Sequence, residues 1–285
     1  MMVCPICAET KDIEALYKGF SIYRCGRCSH AFYSSPTLAD EVRNTYDYKY
    51  FHGKEFYDYS AERAALTKNF RKRLCELTKL KGTGRLLEIG CAYGFFLELA
   101  AKSYDVEGIE VVEDCVRDMD EGLRARVSLA DYLSMPERSE SFDVVCMWDV
   151  VEHLLDPRGF VEKAYRELKP GGLITLTTGD ISSLNARARG EKWRLIHPPS
   201  HAHYFTAASV KRMLLGAGFT DVSISYPGAH RSVGALIYNI FLNDMKGVHK
   251  RRRRAALEAL STALRDVSVY LNFRDIMLAR AWKKG

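Results

Sequence analysis

The stretch "RLLEIGCAYGFFLEL", Arg85 to Leu99, constrains the fold more than any other, because an apolar strand runs into a glycine turn and out again into an apolar helix. The same alternation continues through "VEGIEV", "EDCVRDMDEG", "FDVVCMWDV", "RGFVEKAYRELKP" and "GGLITLTTG". Strand-like runs alternating with helical ones predict an α/β fold, a doubly wound and mostly parallel sheet with helices on both faces. Ligands of such sheets sit beyond the carboxyl ends of the strands, near the topological switch point. The residues that close the strands are therefore the first site candidates. These are Glu88 and Gly90, then Glu110, then Asp131 after "VSL", then Asp149, Glu152 and His153. The turn itself makes a poor dinucleotide cradle: counted from Gly90, the other two glycine positions of G-x-G-x-x-G are Ala92 and Phe95.

Two short knuckles near the N-terminus, "CPIC" and "CGRC", carry four of the eight cysteines as Cys4-x2-Cys7 and Cys25-x2-Cys28. Two such turns present four thiolates to one tetrahedral Zn2+ and leave no open position, so the expected role is structural. A segment this short buries too little apolar surface to fold alone, and the metal supplies the missing free energy. His30 is expected at the surface, and Cys75, Cys91, Cys115 and Cys146 as small buried hydrophobes. The chain divides into a zinc ribbon at 1–37, a helical lid or cap at 38–80, and a large domain at 81–285 with a helical insertion at about 231–268. The second segment is rich in tyrosine. Tyr46, Tyr48, Tyr50, Tyr57 and Tyr59 suit either a substrate mouth, with Tyr46 and Tyr50 as substrate contacts, or a helix pair packed through its rings.

Read from Glu88, "EIGCAYG" resembles the glycine-rich motif (D/E)-x-G-x-G-x-G of class I S-adenosylmethionine-dependent methyltransferases, with Ala92 in place of the middle glycine. The resemblance runs from about Tyr46 to the C-terminus. "ERSESFDVVCMWDVVEHLLDP" and "YRELKPGGLITLTT" are similar to the family's fourth and fifth strand regions, and "FRDIMLARAWKK" to its final, antiparallel strand. It implies a seven-stranded sheet with six parallel strands and the last one antiparallel, and S-adenosylmethionine as the methyl donor. It further implies Glu88 orienting the loop and the amino acid end of the donor, Glu110 accepting from the ribose hydroxyls and Asp131 from the adenine amino group. Gly90, Ala92, Gly94 and Trp148 complete the implied donor site.

Methyl transfer is an in-line displacement at a sulfonium carbon, so positioning does most of the work, and a base is needed only where the acceptor loses a proton. His153 in "DVVEHLLDP" and His201 in "HPPSHAHYF" are the catalytic candidates, with His203 a weaker one. Asp149, Glu152 and His153 also form D-x-x-E-H, which together with His201 suits Mg2+ beside an acceptor hydroxyl. The pattern resembles E-x-x-E-H followed by a later His in metal-dependent O-methyltransferases of quinone intermediates and of small-RNA 3′ ends. The ribbon joined directly to "PTLADEVRNTYDYKYF", with "PPSHAHYF" later in the chain, most resembles the zinc-ribbon methyltransferases of glycan, sugar-nucleotide and secondary-metabolite pathways. That implies an oxygen or carbon acceptor on a small molecule or carbohydrate, with Trp193 and Tyr204 as substrate contacts; for Trp193 a core position is the other reading.

The net charge of +6 is mild and partly local, since His249 to Arg254 is the only dense basic run. The insertion that holds this run reads as a helical hairpin with a solvated basic face, as a membrane-surface segment over 232–254, or as a phosphate-binding patch for RNA. Nucleic acid is disfavoured because the ribbon is nearly balanced, with Lys11, Lys18, Arg24 and Arg27 against Glu9, Asp12 and Glu14. Neither a secretory signal nor a span of the roughly 20 apolar residues that cross a bilayer is visible, which places the expectation in the cytoplasm. The rival readings are an RNA methyltransferase that recognises its substrate through the ribbon, and a noncatalytic donor-binding scaffold.

Overall fold

The computed structural model describes residues 2–43, 62–238 and 251–285, with side chains from residue 254 onward in the last segment. Tyr46, Tyr48, Tyr50, Tyr57 and Tyr59 lie outside the described residues, as does the start of the basic run at His249. In chain order the strands are β1 (Ile13–Tyr17), β2 (Ile22–Cys25), β3 (Ala31–Tyr33), β4 (Arg85–Ile89), β5 (Asp105–Glu110), β6 (Val127–Leu129), β7 (Phe142–Trp148), β8 (Leu168–Gly179), β9 (His203–Tyr204), β10 (Thr220–Ser225), β11 (Ala229–Ser232), β12 (Ser268–Leu271) and β13 (Ile276–Trp282).

The main sheet has seven strands in the order β10-β13-β8-β7-β4-β5-β6. Strands β6, β5, β4, β7 and β8 pair in parallel, while β13 runs antiparallel to both β8 and β10. Six strands thus share one direction and the last in sequence opposes them, as the sequence predicts. The centre of the sheet is covered on both faces, and the residues show it. Phe142 and the unbroken apolar run Val144, Val145, Cys146 and Met147 of β7 are all fully buried, as a central parallel strand requires. Each contributes on the order of 1.5–3 kcal/mol of burial. The helix Pro157–Glu167 opens with proline at its first turn, and Asp156 caps it by accepting from Gly159 N at 2.9 Å. Its Phe160, Val161 and Ala164 pack into the same core as β7 and β8.

The N-terminal segment does not stand apart. Its strands β1, β2 and β3 form a second sheet whose fourth member is β9, contributed by the large domain; Ala31 pairs with Tyr204 and Phe32 with His203. Two expectations are corrected here. His30 is fully buried rather than at the surface, because its Nε2 donates to His203 Nδ1 at 3.1 Å across the junction. Cys75 is exposed on the helix Arg63–Leu80, on the side away from Phe70 and Leu77, while Cys91, Cys115 and Cys146 are buried as expected. The described part of the insertion holds a two-stranded β11–β12 hairpin and the helix Arg251–Ala263. Asn69 clamps that hairpin to the Arg63–Leu80 helix, donating to His230 O at 3.0 Å and accepting from His230 N at 2.7 Å. No helix among the described residues is long and apolar enough to cross a membrane.

Candidate active site

A cavity of about 340 Å³ opens at the carboxyl ends of β4, β5 and β7, beneath the Arg63–Leu80 helix and the β11 hairpin. Its size is that of a small-molecule site. Backbone builds one half of it. The chain leaves β4 through Gly90 at φ +72°, where a Cβ would stand 2.6 Å from Val150 Cγ2. Ala92 follows at φ +46° and Gly94 at φ +72°, so three residues of the loop are left-handed. The amides of Gly90 and Cys91 both donate to Ile109 O, at 2.8 and 3.2 Å, which ties the loop to the end of β5.

Glu110 closes β5 and holds this corner together. Its Oε2 accepts from Ala92 N at 2.7 Å, and its Oε1 accepts from Val111 N at 2.7 Å and Val112 N at 3.0 Å. Burial raises its carboxyl above the ordinary range despite those three donors. Glu88 lies deeper, only 2% exposed, with Oε2 unpartnered among the described residues. Burial and then the nearby Glu110 push its carboxyl well above the usual range, with Arg73 opposing. Trp148 ends β7 on the cavity wall, with the Arg73 guanidinium 4.9 Å from its ring centroid. Asp131 is exposed, and its Oδ1 accepts from Leu133 N at 3.0 Å; the wall at that point comes from its neighbours Ala130 and Tyr132.

Side chains build the other half. Beyond β7 the chain turns at Asp149, φ +56°, whose amide donates to Thr177 O and Oγ1 at 3.2 and 3.0 Å. A short helical turn, Val151–His153, then brings Glu152 and His153 against the loop that carries His201. His153 Nδ1 lies 2.8 Å from Ser200 O, and His201 Nδ1 lies 2.9 Å from Leu195 O. A carbonyl only accepts, so each ring carries its proton on Nδ1 and keeps Nε2 as the basic nitrogen. The two rings meet edge to face, with centroids 4.5 Å apart. Burial pushes His153 down to about 4, His201 well below its ordinary value, and Glu152 up to about 8 with help from Asp149. Near neutral pH the cluster therefore holds two uncharged imidazoles and a largely protonated carboxyl.

Glu152, His153 and His201 each bring a ligand atom within 4.8 Å of the others, and Glu152 Oε2 is buried without a partner. Asp149 does not belong to this group. It reaches Arg73 instead, at 3.8 Å, so the four-residue set expected from D-x-x-E-H contracts to three. Trp193 and Tyr204 are likewise not cavity residues. Both are 3% exposed and pack together with Ile181 and Ile196 between the ribbon sheet and the large domain, and Trp193 Nε1 donates to Asp275 Oδ2 at 3.0 Å. His203 also points away, its Nε2 donating to Leu154 O at 2.8 Å while its Nδ1 accepts from His30. Sequence reasoning missed the cavity's arginines, Arg73, Arg194 and Arg231, which belong to no motif and come together only through tertiary packing.

In the ribbon, Cys4, Cys7, Cys25 and Cys28 bring their sulfurs within 4.8 Å of one another, with Cys4–Cys28 at 3.5 Å and Cys7–Cys25 at 3.6 Å.

Comparison with known proteins agrees with this geometry. A family model described as a methyltransferase domain matches residues 58–224. A ubiquinone biosynthesis O-methyltransferase of Psychrobacter arcticus is 28% identical over 188 residues, covering 59% of this chain and 72% of that protein. A probable S-adenosylmethionine-dependent methyltransferase of Mycolicibacterium smegmatis is 30% identical over 148 residues, 47% of this chain and 51% of its own length. Among solved structures, an S-adenosylmethionine-dependent methyltransferase from Archaeoglobus fulgidus superposes with a TM-score of 0.54 at 22% identity, covering 83% of this chain and 100% of that one, a likeness of fold.

Proposed function

The chain belongs to the S-adenosylmethionine-dependent methyltransferases, and on that premise we propose that it moves the donor's methyl group to an oxygen of a small-molecule acceptor, a hydroxylated ring or a carbohydrate. The observation that carries the reading is the union of two unlike half-sites in one cavity, the glycine loop joined to Glu110 and the neutral His153–His201 pair. When bound, the donor supplies an electrophilic methyl on a sulfonium. Gly90 and Ala92 let backbone approach it closely, Gly94 lets the loop pack on Leu123 and Met119, and Glu110 and Trp148 line the berth. In the transfer the new O–CH3 bond forms as the S–CH3 bond breaks, and its electron pair returns to sulfur to give a neutral thioether. The acceptor's proton goes to Nε2 of His153 or His201, from which it leaves to solvent. An imidazole that is already neutral is ready to accept at pH 7, and the buried wall excludes competing water.

The three-residue cluster also fits a divalent cation. Two imidazole nitrogens with their Nδ1 protons tied to carbonyls, plus one orphaned carboxylate oxygen, match a metal site with its supporting shell. This donor set suits Zn2+, Mn2+ or Fe2+ better than the Mg2+ that the D-x-x-E-H pattern implies, since Mg2+ prefers oxygen ligands. Such an ion would hold Glu152 ionised and lower the pKa of a bound hydroxyl. The four ribbon thiolates suit a structural Zn2+.

Calorimetry with S-adenosylhomocysteine tests the donor half: Glu110→Ala is expected to weaken binding by about 1–3 kcal/mol through lost hydrogen bonds to a charged group. Unchanged affinity, or uptake of a nicotinamide dinucleotide instead, overturns the reading. Release of S-adenosylhomocysteine across phenols, catechols, sugars and sugar nucleotides, with RNA as the comparison arm, then assigns the acceptor class.

A further inference from the structure

We propose that the methyl acceptor carries an oxyanion, a carboxylate or a phosphate, and that Arg231 binds it with Arg194 beside it. The proposal rests on the methyltransferase reading of the same cavity and narrows its substrate class. Arg231 sits on β11, where alternation along the strand brings Ala229 and Arg231 to the cavity wall while His230 and Ser232 take the other face. The strand is not free to turn the side chain elsewhere, because the two Asn69 hydrogen bonds fix its backbone to the Arg63–Leu80 helix.

The cavity's arginines differ in what compensates them. Arg73 is paired with Asp149 and lies over Trp148. Arg194 donates to Asp275 Oδ1 at 3.0 Å. Asp275 Oδ2 is already shared by Asn185 at 2.7 Å and Trp193 at 3.0 Å, so this buried carboxylate is fully committed. Arg231 is partly buried and has no carboxylate partner among the described residues. It also stands near a like charge. After burial itself, Arg231 is the largest influence holding Arg194 below its ordinary range. Partly burying a guanidinium next to another one is costly unless something anionic completes the pair, and the fork of donors on arginine matches the oxygens of carboxylate and phosphate. Both guanidinium groups line the cavity that the neutral histidines and the glycine loop also line, so the competing occupant is the donor's own carboxylate, which is why the test fills the donor berth first.

The test uses full-length protein saturated with S-adenosylhomocysteine, titrated calorimetrically with inorganic phosphate and, separately, benzoate. At least one anion is expected to bind saturably to the wild type and about tenfold or more weaker to Arg231→Gln, with Arg231→Lys recovering part of the loss. Lys68→Gln, which removes an exposed cation whose Nζ bonds Ser268 Oγ, is expected to bind like the wild type. The thermal midpoint of Arg231→Lys should match the wild type and that of Arg231→Gln should be no lower, since no ion pair is lost and the like charge beside Arg194 is removed. Arg231-dependent binding of phosphate alone assigns a phosphoryl group, and of benzoate alone a carboxylate. Equal binding to wild type and Arg231→Gln, or no binding of either anion, overturns the proposal. Failure of S-adenosylhomocysteine to bind at all overturns the methyltransferase reading instead.

Discussion

The two halves of the cavity are held in place by different means. The donor half is comparatively local: a loop and two neighbouring strand ends, Gly90 to Gly94 and Glu110, bonded through the backbone amides of Gly90, Cys91, Ala92 and Val111. The acceptor half is assembled from afar. Ala202 N donates to Glu152 O, Tyr33 N donates to Ala202 O, and His30 reaches the carbonyl after His153 through His203. The ribbon's sheet thus ends in the strand that follows His201. A module that looks like an appendage is instead part of the wall on which the acceptor chemistry stands, so damage to the ribbon should strike one half-site and spare the other.

The strongest way to break this comparison is to break the ribbon's cysteine cluster, the site proposed for Zn2+. Cys25→Ser should abolish zinc retention by mass spectrometry; structural zinc in small modules contributes on the order of 10 kcal/mol of apparent binding free energy. Turnover is expected to collapse while S-adenosylhomocysteine still binds within severalfold of the wild type, because the hydrogen bonds of Glu110 that hold the donor half go to Ala92, Val111 and Val112 and not to the ribbon. Parallel loss of donor binding would show that the two halves are one cooperative unit. Next in size, His201→Gln should lower kcat by roughly 10²–10⁴ with donor affinity unchanged, the range for loss of a positioned base. Equal loss of donor affinity would shift His201 from acceptor chemistry to the frame of the cavity.

The same contrast decides what could be read from the sequence. Alternating strands and helices and the glycine turn were legible because each depends on periodicity or on local backbone conformation, whereas the seven-stranded topology came only as what the family resemblance implies. Cysteine spacing was legible as a four-sulfur cluster for the same reason. Burial of His30 was not, since it arises from a strand 173 residues away that no local pattern announces. Trp193 and Tyr204 look like substrate residues in a string of aromatic and histidine letters, yet the ribbon packs over them. Arg231 shows the converse case: it carries no motif, and tertiary contacts such as the Asn69 clamp bring it to the cavity.

A smaller effect sharpens the donor side. Glu88 is buried beside Glu110 and its carboxyl is raised well above the usual value, so the folded state keeps a proton that the unfolded chain releases near pH 4.5. The stability this provides is complete below the unfolded value and declines as pH rises toward the folded one, at a slope of up to about 1.4 kcal/mol per pH unit. Glu88→Gln cannot ionise, and it should flatten the fall in thermal midpoint between pH 5 and neutrality. An unchanged slope would mean that another group sets it. The buried His203, pushed down to about 4, acts with the opposite sign, its stability being lost as pH falls from about 6.5 toward the folded value.

The smallest expected effect concerns Ala92, the one residue that departs from the glycine pattern. Its φ of +46° is left-handed, which costs an alanine about 1–2 kcal/mol that glycine does not incur. Glycine in turn loses more freedom on folding, about 0.4–1 kcal/mol. The difference leaves Ala92→Gly neutral to stabilising, by roughly 0–1.6 kcal/mol, where the same exchange inside a helix would destabilise. The amide that donates to Glu110 is kept, so S-adenosylhomocysteine should bind at least as well as before. The methyl does pack at the edge of the cluster around Phe96 and Trp148, and that contact is what the exchange removes. A thermal midpoint lower by the equivalent of about 1 kcal/mol would show that this packing, and not backbone strain, governs the loop. The donor half would then depend on side chains after all, and its contrast with the acceptor half would narrow to one of distance along the chain.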